Sequence, residues 1–169
     1  MDRNAAWDLL CEYTQTDGLR KHGLAVEAVM RHFARKHGED EDVWGITGLL
    51  HDFDYERWPT VEGHPYEGNK ILTERGYPED VRTAIMGHAD YTGVARESLM
   101  AKTLFAVDEL TGFVTAVALV RPNKSIFEVE PPSVRKKMKD RAFARQVNRD
   151  DITNGAEQLG VPLDEMIAE

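Results

Sequence analysis

The chain has 169 residues, of which 41% are hydrophobic and 30% charged, the profile of a folded globular protein with one core. Its formal net charge of -9 argues against a nucleic-acid duplex or an anionic membrane surface as partner. The single cysteine, Cys11, excludes an intramolecular disulfide; it falls in an apolar helical pattern, is expected as a buried thiol, and is consistent with a cytoplasmic location. No signal peptide is visible, and the longest apolar run, Leu104 to Val120, carries Asp108 and Glu109 and is a poor membrane span.

The pattern is helical almost throughout. Ala6, Leu9, Leu10 and Tyr13 mark a first short helix, broken at Thr16-Asp17-Gly18. A second is expected from about Leu19 to His37, with His22, Val26, Val29 and Phe33 on one stripe and Gly38 ending it. That stripe turns His22 toward the core and leaves His32 and His37 at the surface. Four acids, Glu39 to Asp42, sit where a third helix begins, favoured by the positive end of its dipole. Its apolar face is Val43, Ile46, Leu49 and Leu50, and His51-Asp52 closes it. Asp54 to Pro59 reads as a loop, because Pro59 biases Trp58 away from helix.

Gly63-His64-Pro65 opens a fourth helix that ends at Gly76. Pro78 to about His88 is a fifth, and Asp90 to Gly93 a loop. Ser98 caps a long sixth helix reaching Val120, with Asp108 on or beside its apolar side. Pro131-Pro132 is expected to interrupt the chain. Residues 133–149 form a basic segment, either a solvated helix face or an anion-recognition wall, and Asp150 to Glu169 a small helical end. No strand alternation, internal repeat or long linker is present. The chain therefore reads as one all-α domain over 1–169, with a motif-bearing core of about 18–125 and a helical extension of about 133–169.

An adjacent His and Asp can both reach one divalent ion, though His51-Asp52 alone is weak evidence. Four further candidates stand at core-facing places on other helices: His22, His64, His88 and Asp108. A metal accounts for all six together, because it accepts neutral imidazoles and offsets carboxylate charge. Glu67, one turn after His64, is a candidate acceptor for that imidazole.

The order His22, His51-Asp52, His64, His88, Asp108 resembles the HD-domain metal-dependent phosphohydrolase superfamily, in the variant with two extra histidines before the last Asp. The resemblance covers about 18–125 and is supported by Leu49-Leu50-His51-Asp52, His64-Pro65-Tyr66-Glu67-Gly68 and Ala106-Val107-Asp108-Glu109-Leu110-Thr111-Gly112. Over more of its length the chain is similar to small stand-alone bacterial HD hydrolases. The resemblance implies an all-α HD-domain helical bundle with the metal site at its centre. It implies that His22, His51, Asp52 and Asp108 hold a first divalent ion, and that His64 and His88 help hold a second where one is present, with Asp52 bridging. Tyr91-Thr92-Gly93 follows His88 in place of the Gly-Tyr-Pro signature of some relatives, which counts against cyclic-di-GMP cleavage. The ligand order also resembles HD-type diadenosine tetraphosphate hydrolases and HD-type di-iron oxygenases.

The leading expectation is a phosphohydrolase that attacks a small phosphate ester, a nucleotide foremost, through metal-activated water. One or two ions of Fe, Mn, Co, Ni, Zn or Mg would serve. Asp52, His64 and His88 are the expected catalytic residues, with either histidine protonating the leaving oxygen if it is not a ligand. Lys21, Lys102, Arg121 and Lys124 are candidate phosphate cations, each also readable as a solvated surface charge. The alternatives are a di-iron oxygenase on the same scaffold and a non-catalytic metal- or nucleotide-binding domain. Tyr55, Trp58, Tyr91, Phe105 and Phe127 are candidates to shape the pocket.

Overall fold

The computed structural model describes residues 1–169, which form helices and no strand. Nine α-helices follow in order: α1 Arg3–Tyr13, α2 Asp17–His37, α3 Glu41–Leu50, α4 Tyr66–Glu74, α5 Glu79–Gly87, α6 Leu99–Leu119, α7 Pro131–Met138, α8 Arg149–Leu159 and α9 Leu163–Ala168. The chain divides into two compact units, Met1–Leu104 and Phe105–Glu169, with the boundary inside α6. No helix is long and apolar enough to cross a membrane.

The first unit is built on α2 and α3. Gly38 ends α2 in the left-handed region at φ 72°, which glycine adopts without a Cβ penalty. Asp40 then caps α3, accepting the backbone N–H groups of Asp42 and Val43. The two helices pack backbone to backbone because the contact carries glycines. A Cβ on Gly48 would come within 3.0 Å of the Val26 carbonyl oxygen, and one on Gly23 equally close to that of Leu49. Val26, Met30, Phe33, Ile46, Leu49 and Leu50 are buried along the interface. Burying such side chains contributes roughly 1.5–3 kcal/mol each. Glu27, also buried, is charge-paired to Arg3 of α1 at 2.8 Å and to Arg31 at 3.1 Å.

Residues 51–58 follow α3 and are tied to α1. The Thr14 hydroxyl donates to the Phe53 carbonyl at 2.9 Å, and Arg57 donates to the Glu12 carbonyl at 2.7 Å while lying over the Tyr13 ring. Glu56 accepts the backbone N–H groups of Gln15 and Thr16 and the Thr16 hydroxyl. These bonds hold its carboxyl below the usual carboxylate range, the Thr16 N–H foremost. Such anchoring turns a loop into a fixed ledge just after α3.

In the second unit, Leu110, Phe113 and Val117 of α6, Val134 of α7, Ile152 and Ala156 of α8 and Met166 of α9 are buried. Gly155 of α8 meets the α6 backbone at Ala106, where a Cβ would approach its Cα to 2.5 Å. Pro131 and Pro132 do not interrupt here. They occupy the first turn of α7, where a missing N–H costs nothing. The basic segment is not one face either: it splits into the end of α7, a run of turns and the start of α8. Arg149 is turned inward, donating to the carbonyls of Phe143, Ala144 and Val147 and lying over the Phe113 ring. Lys137 lies over Phe143, and Arg135 pairs with Asp164. Cys11 is half-buried rather than fully buried.

Candidate metal centre

Three of the four histidines of the centre are placed by a helix end. α3 stops at Leu50, so His51 is its C-cap and Asp52 the first residue beyond. α5 stops at Gly87, with His88 as its C-cap. His64 stands just before Pro65, the N-cap of α4. His22 is on the second turn of α2. A side chain at a helix end leaves the bundle packing and can reach inward, and three such ends meet here.

The four imidazoles form two pairs around one carboxylate. His22 Nε2 and His51 Nε2 lie 3.2 Å apart, as do His64 Nε2 and His88 Nε2. Asp52 divides its oxygens between the pairs. Oδ2 lies 3.4 Å from His51 Nε2 and 3.9 Å from His22 Nε2, while Oδ1 lies 3.3 Å from both His64 and His88. His51, His64 and His88 are buried; His22 and Asp52 are half-buried and give the centre its opening to solvent.

The opposite ring nitrogens explain the arrangement. His51 Nδ1 faces the Gly48 carbonyl at 2.7 Å, and His88 Nδ1 faces that of Ile85. A carbonyl oxygen only accepts, so each Nδ1 must donate, and in the neutral ring Nε2 is a bare lone pair. His64 Nδ1 likewise faces the Asp54 carboxylate, so in the His64–His88 pair two bare nitrogens face each other at 3.2 Å and repel unless a cation lies near both. Protons or a divalent ion can meet that need, and the two compete. With protons there, His64 is pushed up to about 9: burial opposes its charge, and Asp52 and Asp54 outweigh burial. The Asp52 carboxyl is held well below its usual range. Burial opposes that charge too, and the neighbouring His51, with hydrogen bonds from His51, His64 and His88, overcomes it. Four imidazoles with one ionised carboxylate between them suit Fe, Mn, Co, Ni or Zn better than an all-oxygen cage would.

The structure thus brings together His22, His51, Asp52, His64 and His88. Asp108 is half-buried on α6, four residues into the second unit. Lys21 is exposed beside His22, Lys102 half-buried on the first turn of α6, and Arg121 and Lys124 lie just past the end of α6. Glu67 is not the acceptor for His64; it pairs with Lys70 at 2.6 Å. That acceptor is Asp54, fully buried, whose Oδ1 lies 2.7 Å from His64 Nδ1. Helical spacing pointed to Glu67, but His64 precedes the helix, so the i,i+3 relation does not apply. A second carboxylate two positions past His51-Asp52 was the signal available.

Tyr55 and Tyr91 flank His64. The Tyr55 ring packs edge-on against the imidazole, with centroids 5.3 Å apart, and the Tyr91 hydroxyl donates to the His64 carbonyl at 2.8 Å. Both rings keep an exposed side. Tyr91 is pushed up to about 12, by burial first and then by the charges of Asp52 and Asp54, so its hydroxyl keeps its proton.

Comparison with known proteins gives one family. The model of the family described as HD domain matches residues 19–112, more than half the chain. A search of curated proteins finds no match, and neither does a search of solved structures.

Proposed function

Because the chain belongs to the HD domain family, whose members include metal-dependent phosphohydrolases, we propose that it hydrolyses a small phosphate ester, a nucleotide foremost, at a centre holding two divalent ions. The observation that carries this reading is Asp52: one carboxylate oxygen faces each pair of imidazole nitrogens. His22, His51 and Asp52 would hold one ion, and His64, His88 and Asp52 the other. Asp108 joins the first set on the ligand order of the sequence alone.

A bound divalent ion supplies Lewis acidity, acidifying water and offsetting charge on phosphoryl oxygens. The protein's own share is order. The carbonyls of Gly48 and Ile85 hold two imidazoles with Nε2 inward, so no reorganisation is needed as the reaction proceeds. Asp52, ionised and with one oxygen toward each imidazole pair, would contribute to holding both ions. With both His64 and His88 used as ligands, neither carries a proton for the leaving group. The half-buried side at His22 and Asp52 is where substrate arrives, with Lys21 and Lys102 as candidate cations for its remaining phosphate charge.

Phosphate release from a panel of nucleotides and simple esters, with Mn, Co, Mg, Zn or Fe added, tests this. Activity should vanish with chelator and in Asp52→Ala. Oxygen consumption without phosphate release would replace the reading with an oxygenase on the same ligands. Bound metal with neither activity would leave a binding domain.

A further inference from the structure

The two halves of the centre are built differently. His51 and His88 each lean on a carbonyl three residues back in their own helix, which is always available at a helix end. His64 has no such carbonyl, because α4 begins after it. Its Nδ1 instead meets Asp54, from the ledge after α3. A fully buried carboxylate is costly without partners. Asp54 has one for each oxygen: Oδ1 takes His64 Nδ1, and Oδ2 takes the Gly68 backbone N–H at 2.7 Å. Gly68 is glycine for this reason, since a Cβ there would come within 2.7 Å of the carboxylate. The His64 backbone is held as well, by the Tyr91 hydroxyl.

We infer that Asp54 is a positioning residue dedicated to the His64–His88 half of the centre, locking His64 with Nε2 bare so that this half takes its own divalent ion. The inference rests on the metal centre proposed above. Both oxygens of Asp54 accept, so an asparagine there must present its amide NH2 to one of the two donors. If it turns that group to His64, Nδ1 becomes the acceptor and Nε2 carries the proton, which a metal ligand cannot. If it turns it to Gly68, the N–H there loses its acceptor and the carboxylate charge behind His64 is gone. Either way the His64–His88 half weakens, and the His22–His51 half, where His51 leans on the Gly48 carbonyl instead, is spared. Outer partners of this kind are worth about 10–100-fold in metal affinity.

The experiment is zinc titration, with zinc alone as the probe, of wild type, Asp54→Asn, His88→Ala and His22→Ala, reading stoichiometry against a competing chelator. Wild type should bind two zinc ions. Asp54→Asn should keep one at wild-type affinity and bind the other about 10–100-fold more weakly. It should match His88→Ala in which ion is weakened, and a combined Asp54→Asn, His22→Ala protein should hold neither ion at wild-type affinity. Two tightly bound ions in Asp54→Asn, or only one in wild type, would overturn the inference and leave a metal centre standing. No zinc in wild type would sink both. Nitrogen-resolved NMR of zinc-loaded wild type needs no variant: His64 should carry its proton on Nδ1, and a proton on Nε2 would overturn the inference by itself.

Discussion

Asp52 and Glu56 sit four residues apart on the same ledge and are ionised for different reasons. Asp52 is surrounded by imidazoles, whereas Glu56 accepts the N–H groups at the start of α2. Glu56 makes a clean pH prediction, because it is not part of the metal centre. Its folded pKa lies below its usual value of 4.5, so its contribution is fully present above that value and is lost as pH falls through the folded one. The urea midpoint of wild type should therefore drop as pH is lowered below about 4.5. Glu56→Gln should be less stable than wild type at pH 7, with the gap narrowing in acid. A gap that stays constant would mean the carboxylate charge is not what matters. Gly68→Ala belongs at this scale too. Its methyl would press on Asp54, so it should lower both stability and zinc binding, read by thermal melting with and without zinc.

Among the elements, α2 and α3 decide where the centre forms. Their glycines let two backbones approach until His22 of one faces His51 of the other. Gly48→Val should separate them and cost about 1–3 kcal/mol, as overpacking generally does; a urea titration gives the value. A change within about 0.5 kcal/mol would mean that the contact is looser than its geometry indicates. Helix starts and stops were legible in the chain itself, because Gly38, Asp40 and Ser98 act through bonds with their near neighbours and Pro78 through its own fixed φ. Pro131-Pro132 shows where that reading fails. Proline is as compatible with a helix's first turn as with a break, and only the residues that follow decide between them.

For the whole molecule, metal binding and stability are one quantity. An ion that binds only the folded chain, supplied at 100 times its dissociation constant, adds about 2.7 kcal/mol. At roughly 2–4 °C per kcal/mol for a chain of this size, each zinc ion bound should raise Tm by about 5–10 °C, and chelator should remove that rise. An unchanged Tm would mean that no ion occupies the core. The sequence by itself determined the all-α class and the helix order, and it singled out His22, His51, Asp52, His64 and His88, side chains that the structure brings together. Those follow from local periodicity, end signals and a ligand order that survives without coordinates. Tertiary structure alone decided how the two oxygens of Asp52 divide between the imidazole pairs, and that Asp54 rather than Glu67 backs His64. Both depend on residues from separate helices meeting at one point. That meeting is set by how closely α2 and α3 pack and by how the Phe53–Trp58 ledge is tied to α1, and no spacing along a single element encodes it.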